Sequence, residues 1–263
     1  MTEEKWALVL GASSGFGAAS CLELARNGFN IAGVHLDRRS TIANAENLVE
    51  EIQSAGNQAI FFNVNASDPD RRSEVIQACG QKIRSGEGGG FSVMLHSLAF
   101  GTLKPYIHND PKKRIRPADM DMTLDVMAHS LVYWIQDLLD AELLGGGAKI
   151  FAMTSAGAHR VWPTYGAVSA AKASLEAHVR QLAVELAPAG IAVNALQAGV
   201  TDTPAARRIP GSEQMFSRAQ DFNPGKRLTK PEDAASIITA ISLCRSTWMT
   251  GNIIKVDGGE DLI

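Results

Sequence analysis

Two kinds of apolar pattern alternate along the chain. Short, nearly continuous apolar runs fall at 6–11 ("WALVLG"), 29–36, 58–64, 91–97 ("FSVMLHS"), 148–155, 190–197 and 252–258. Longer stretches at 15–27, 41–55, 68–84, 119–143, 163–188 and 231–245 carry apolar residues at helical spacing. A run too short for a helix and apolar on both sides reads as a strand covered on both faces. Strands alternating with helices predict βαβ units. The expected fold is α/β, with a parallel sheet covered by helices on both faces. The segments "SGEGGG" (85–90) and "LGGGAK" (144–149) each lead straight into a strand, which makes them turns rather than linkers. With no repeat period, residues 1–263 are expected to form one domain.

The helix at 163–188 has a clear buried face: Val168, Leu175, Val179, Leu182 and Leu186 step by seven, four, three and four. Pro188 and Gly190 end it. Within it, "TYGAVSAAK" (164–172) holds Tyr165 and Lys172 seven residues apart, nearly two turns. The two side chains leave almost the same side, separated by about 10 Å of rise. That suits a pair gripping one extended ligand better than two groups in contact.

A second motif follows the first strand and opens the first helix. "LVLGASSGFGAAS" spaces its glycines as Gly11-x-x-x-Gly15-x-Gly17. Glycine permits the sharp turn and the close backbone approach that a pyrophosphate needs at a helix N-terminus. In the first βα turn of a doubly wound chain this points to a dinucleotide. The second strand ends in "HLDRRS" (35–40). An acid there accepts hydrogen bonds from an adenosine ribose, whereas arginines attract a 2′-phosphate. Asp37 and the pair Arg38 and Arg39 supply both; Asp37 comes late for a ribose acid, which tilts the balance to NADPH and leaves NADH open.

Composition narrows the partners. The chain is 45% hydrophobic and 20% charged with net charge −3, which excludes an electrostatic footprint for nucleic acid. No basic cluster suits a membrane surface and no apolar run approaches a span. Cys21, Cys79 and Cys244 are scattered, so free, buried thiols in a reducing compartment are expected. The opening "MTEEKWALVLG" is unlike a signal peptide, and a cytoplasmic location is expected. Six histidines show no ligand spacing and no paired carboxylates stand out, so no metal is expected.

The glycine spacing and strand order, with "VNALQAGVTDT" (193–203) and "GNIIKVDGG" (251–259), resemble the short-chain dehydrogenase/reductase family over the whole chain. That resemblance implies a single-domain Rossmann fold with seven strands, a nicotinamide dinucleotide, and a homotetramer or homodimer. It places Gly11, Ser13, Ser14, Gly15, Phe16 and Gly17 around the pyrophosphate and Asn65 at the adenine. It sets Ser97, Leu98 and Ala99 beside the ribose, and Gly199, Thr201 and Thr203 near the nicotinamide and phosphate. The family's usual threonine before the first glycine is Leu10 here.

Most members place tyrosine and lysine four apart, but four before Lys172 stands Val168, which does no acid–base work. Tyr-x6-Lys resembles the enoyl-acyl-carrier-protein reductase branch, as do "LHSLAFG" (95–101) and "AAKASLEAHVRQLAVELAP" (170–188). The family's helix asparagine falls at Met127, whose thioether gives no proton. The chemistry explains the shift. Hydride delivered to the β-carbon of an unsaturated thioester builds negative charge on a thioester oxygen several ångströms further along, and the donor must follow that oxygen. In this reading Tyr165 bonds the enolate oxygen and Lys172 holds the cofactor ribose. Ser155, at the end of strand five, either assists the substrate oxygen or caps the strand. Tyr106 reads as a loop aromatic over the core, and His96 as a strand-end histidine bonded to backbone.

The stretch at about 203–230 mixes prolines, glycines and apolar residues, as a substrate lid does. Ile209, Met215, Phe216 and Phe222 would line an acyl channel, with Arg207, Arg208 and Arg218 facing an acidic carrier. The expectation is an NAD(P)H-dependent reductase of trans-2-enoyl thioesters on acyl carrier protein or coenzyme A, in fatty-acid elongation. Two rivals remain: a carbonyl or 3-oxoacyl reductase with Tyr165 and Ser155 rearranged, and an idle dinucleotide-sensing protein.

Overall fold

The structure is a computed structural model that describes residues 4–86 and 88–263. Seven strands form one parallel sheet: β1 (Lys5–Leu10), β2 (Phe29–His35), β3 (Ala59–Asn63), β4 (Phe91–His96), β5 (Leu144–Ser155), β6 (Ala192–Ala198) and β7 (Ile253–Val256). Their spatial order is β3-β2-β1-β4-β5-β6-β7. The chain winds outward from β1 in one direction and then, from β4, in the other. A crevice therefore opens at the carboxyl ends of β1 and β4, where doubly wound folds bind ligands.

Helices α1 (Gly15–Arg26), α2 (Ile42–Ser54) and α8 (Pro231–Leu243) cover one face, burying Cys21, Leu48 and Ala234 with Val9 and Phe151. Helices α3 (Pro69–Arg84), α5 (Ser130–Asp140) and α6 (Gly166–Leu186) cover the other, burying Val75, Leu131 and Leu175 with Leu10 and Ile150. Burial on both sides is why the strands read as continuous apolar runs. The single Rossmann-type domain and the seven-stranded sheet agree with the sequence.

Three boundaries differ, each for a physical reason. The expected helix at 119–143 is α4 (Pro117–Leu124), a π-helical segment (Asp125–His129) and α5. The π segment widens the turn beside the crevice, a feature frequent at functional sites. Strand β5 starts at Leu144 rather than 148: Phe91 pairs with Leu144, then Val93 with Lys149, and exposed Gly145 to Gly147 bulge out of the ladder. Within the stretch read as a lid lies a regular helix, α7 (Ser212–Phe222).

Of the cysteines, Cys21 and Cys79 are buried and free as expected, but Cys244 is exposed, because α8 has already ended there. Among the described residues no helix is long and apolar enough to cross a membrane, and no cluster of metal-ligand side chains occurs.

Candidate active site

The glycine loop joins β1 to α1 across the crevice. Gly11 has φ +86°, and a Cβ there would lie 2.5 Å from the Ser97 carbonyl oxygen. A Cβ on Gly17 would overlap the Gly11 carbonyl. Only glycine lets α1 sit so close to the strand end. Ser14 caps α1 without a side-chain bond, and the first turn holds no acid. The N-terminal N–H groups and the positive end of the dipole are therefore available to a phosphate. Gly15 packs against Thr203, and the Ser97 N–H donates to the Leu10 carbonyl at 2.9 Å, which draws the ends of β4 and β6 to the same loop. These residues fit a dinucleotide.

At the adenosine end, Asn63 clamps the Asp37 backbone, with Oδ1 accepting from its N–H at 2.9 Å and Nδ2 donating to its carbonyl at 3.1 Å. Burial works against the Asp37 carboxylate, but hydrogen bonds from the Ser13 and Thr41 hydroxyls and from His35 hold its carboxyl below the usual range. The His35 Nδ1 lies 2.8 Å from Asp37 Oδ2. Arg38 and Arg39 are exposed. Asn65 is exposed as well, and its Oδ1 accepts from the Ser67 N–H and hydroxyl at 3.1 and 3.0 Å.

The catalytic candidates meet on the far side of the crevice. Tyr165 immediately precedes α6, and Lys172 lies within it, 5% exposed. Burial raises the Tyr165 phenol's pKa, and a hydrogen bond with Ser155 offsets this only in part, so the phenol is a proton donor at neutral pH. The Ser155 Oγ accepts from the Gly157 N–H at 3.1 Å. It thus caps the turn after β5, and its own proton is left to serve the Tyr165 phenol. The Lys172 Nζ donates to the Met153 carbonyl at 2.6 Å. Burial lowers the lysine pKa to about 8, with Glu176 opposing the shift. Thr164, just before the phenol, holds φ +65°, and its buried hydroxyl has no partner among the described residues.

A cavity of about 550 Å³ joins these groups, the size of a small-molecule site. Phe16, Ser97, Leu98, Ala99, Gly199, Thr201 and Thr203 of the expected cofactor set line it, as do Tyr165, Lys172 and Ser155. Val168 and Met127 also line it, so the places of the family's usual tyrosine and asparagine are apolar wall. Tyr106 packs its ring on Gly166, at the start of α6. His96 bonds the Ser130 hydroxyl at 2.8 Å rather than backbone alone.

The lid is tied to the site: the Trp162 indole N–H donates to the Pro210 carbonyl at 3.2 Å, and Ile209, Met215 and Phe222 line the cavity. Arg208 and Arg218 also line it, whereas Arg207 is held by Asp202 at 2.6 and 2.7 Å. Sequence reasoning missed Arg160, Trp162, Glu260 and Ile263 on the cavity wall. Arg160 and Trp162 sit in the loop just before Tyr165, whereas nothing in the sequence pointed to Glu260 and Ile263, which follow β7.

The model of a family described as "Enoyl-(Acyl carrier protein) reductase" matches residues 11–260. The 1-cyclohexenylcarbonyl-CoA reductase of Streptomyces collinus is 26% identical over 262 residues, 97% of this chain and 86% of that protein. The NADH-dependent enoyl-[acyl-carrier-protein] reductase FabI of Aquifex aeolicus (strain VF5) is 31% identical over 186 residues, 66% of this chain and 64% of that one. Alcohol dehydrogenases stand among the matches at similar identity. A short-chain dehydrogenase from Burkholderia cenocepacia J2315, solved in complex with NADP, superposes with a TM-score of 0.82 at 25% identity, covering 98% of each chain. The chain belongs to the short-chain dehydrogenase/reductase family of NAD(P)-binding oxidoreductases, in the set described as enoyl-(acyl carrier protein) reductase.

Proposed function

We propose that this protein reduces the C=C bond of trans-2-enoyl thioesters, carried by acyl carrier protein or coenzyme A, in fatty-acid elongation. The observation that carries this reading is the cavity wall along α6. Val168 stands four residues before Lys172, and the only phenol that α6 and its cap bring to the wall is Tyr165, seven before. A donor displaced by one helical turn suits charge that develops on a thioester oxygen remote from the carbon being reduced.

A bound dihydronicotinamide supplies the reducing equivalent to the β-carbon. Tyr165 then donates a hydrogen bond to the enolate oxygen, its proton kept on the phenol by burial. The Lys172 ammonium holds the ribose hydroxyls and favours the anion by its charge. Ser155, bonded to the phenol, orients it for that donation. Phe222 and Val161, 62% and 96% exposed, form an apolar rim for an acyl chain, and α7 closes over it. Arg208 and Arg218 face the acidic carrier or the phosphates of coenzyme A.

The cofactor reading is NADPH, with NADH as the alternative. The His35 ring already lies 2.8 Å from the Asp37 carboxylate, while Arg38 and Arg39 remain exposed for a 2′-phosphate. Assembly as a homotetramer or homodimer is part of the same proposal.

The bond between Ser155 and Tyr165 favours one rival, a carbonyl or 3-oxoacyl reductase. Oxidation of NADPH and NADH followed with crotonyl-CoA and acetoacetyl-CoA separates them. Turnover of the enoyl ester alone is expected. Turnover of the ketoester alone would establish the rival, and tight cofactor binding with neither would establish a dinucleotide sensor.

A further inference from the structure

Five charged side chains line the cavity, and four of them are basic: Arg160, Lys172, Arg208 and Arg218. The fifth, Glu260, is the one acidic side chain on that wall among the described residues. A tight turn after β7 brings it there. Gly258 and Gly259 hold φ +63° and +84°, and the Asp257 carboxylate accepts from the Gly259 N–H at 2.9 Å and from the Asp261 N–H at 3.1 Å. A short 3₁₀ segment, Glu260–Leu262, follows with Glu260 at its head. Asn223, just after α7, donates to the Asp257 carbonyl at 2.7 Å and ties this turn to the lid.

The Glu260 carboxylate reaches the end of β6. Its Oε2 accepts from the Val200 N–H at 3.0 Å, and a Cβ on Gly199 would lie 2.9 Å from the same oxygen. Val200 stands between Gly199 and Thr201, the residues that the family resemblance sets near the nicotinamide, and all three line the cavity with Tyr165 and Lys172. Among the described residues no lysine or arginine pairs with this carboxylate, and Arg160 is taken instead by Asp261 at 2.8 Å. Burial raises the Glu260 carboxyl's pKa; the Val200 N–H opposes the rise, Asp257 adds to it by repulsion, and Asn223 and Arg160 oppose it. A half-buried acid kept beside a second acid costs stability, and such groups cluster at functional sites.

Hydride transfer gives that charge something to meet. One proton and two electrons leave the dihydronicotinamide for the substrate carbon, and the ring that remains is positive. We propose that Glu260 discriminates the oxidation state of the cofactor: its carboxylate, held at the Gly199–Thr201 edge of the crevice, favours the positive nicotinamide ring over the neutral one. Glu260 thereby stabilises charge developing on the donor side of the transfer, as Tyr165 does on the acceptor side.

The inference rests on the nicotinamide site but not on the identity of the substrate, and binding alone tests it. The Kd for NADPH is measured by fluorescence, and that for NADP+ by displacement of NADPH, at neutral pH in wild type and in Glu260→Gln. The glutamine amide oxygen can still accept from the Val200 N–H, so the variant removes the charge and keeps the turn. Taking the ratio of the two constants cancels whatever the lost charge does to the phosphates, which both forms share. The ratio of the NADP+ Kd to the NADPH Kd is expected to rise by about three- to tenfold in Glu260→Gln. An unchanged ratio would overturn the proposal and leave the nicotinamide site standing. Equal weakening of both forms would overturn it too, as the mark of an uncharged contact or of a turn that only supports the fold. If Glu260→Gln does not fold, the same ratio in Glu260→Ala decides. Wild type that binds neither NADPH and NADP+ nor NADH and NAD+ would remove the site and the proposal together; if NADH is the form bound, the ratio is read on NADH and NAD+.

Discussion

The glycine loop and the entrance to α6 face each other across one crevice and are built by opposite rules. In the loop every backbone demand meets a residue that satisfies it: Gly11 and Gly15 take positive φ, and Gly17 accepts a contact no side chain could. At the entrance to α6 the demands go unmet. A β-branched residue, Thr164, holds φ +65° with its hydroxyl buried and, among the described residues, unpaired, and Lys172 is buried with its pKa lowered to about 8. The difference follows from the tasks. Holding a dinucleotide needs open backbone, which costs little. Meeting a developing charge needs particular side chains in a dry place, and stability is given up there.

The largest expected effect is on the chemical side. Tyr165→Phe should lower kcat by about 10²–10³-fold, the size of a lost oxyanion donor, with NADPH affinity unchanged in a fluorescence titration. Wild-type turnover in that variant would remove the phenol from the reaction. Gly17→Ala should do the reverse. Its Cβ overlaps the Gly11 carbonyl, so the loop must shift, and the Kd for NADPH should rise by about tenfold or more with kcat at saturating cofactor retained. A fall in kcat without a change in Kd would show that the two regions are not separable.

The pH dependence is smaller and has a worked sign. Lys172 acts as the ammonium, so kcat/KM should fall as pH rises through about 8. For stability, the folded pKa lies below the usual 10.5, so the unfolded chain binds this proton more tightly. The charged lysine therefore costs stability below pH 8, and the cost fades between about 8 and 10.5. Calorimetry should find Lys172→Met more heat-stable than wild type at pH 7, and a gap that closes at alkaline pH. The smallest effect is at the strained residue: Thr164→Gly should stabilise the fold by about 1 kcal/mol, read as a rise in Tm of about 2–4 °C. An unchanged or lower Tm would show that Thr164 carries no such strain.

Much of the frame was legible because burial on both faces writes continuous apolar runs, and because a doubly wound sheet leaves few topologies for them. Tyr165 and Lys172 were legible for a related reason: within one helix, seven residues set direction and rise whatever the rest of the chain does. The interruptions were not. The π segment at Asp125–His129 and the bulge at Gly145–Gly147 are responses to neighbours in space, and the apolar period runs through the first unbroken. Helix α7 hid in a stretch whose prolines and glycines flank it. Arg207 looked like its neighbour Arg208 until Asp202 was seen to hold it. Cys244 read as buried although it lies beyond the end of α8.

By itself the sequence determined what depends on local covalent geometry and periodicity: the parallel sheet, the dinucleotide loop, and a phenol and an amine on one side of one helix. Tertiary structure alone decided which groups share a dry space. It brought Ser155 and the Met153 carbonyl from β5 to the phenol and the amine, and Met127 to the wall where another proton donor could have stood. The physical reason is that a pKa and a hydrogen-bond partner are properties of surroundings contributed by distant segments. No spacing within a single element records them.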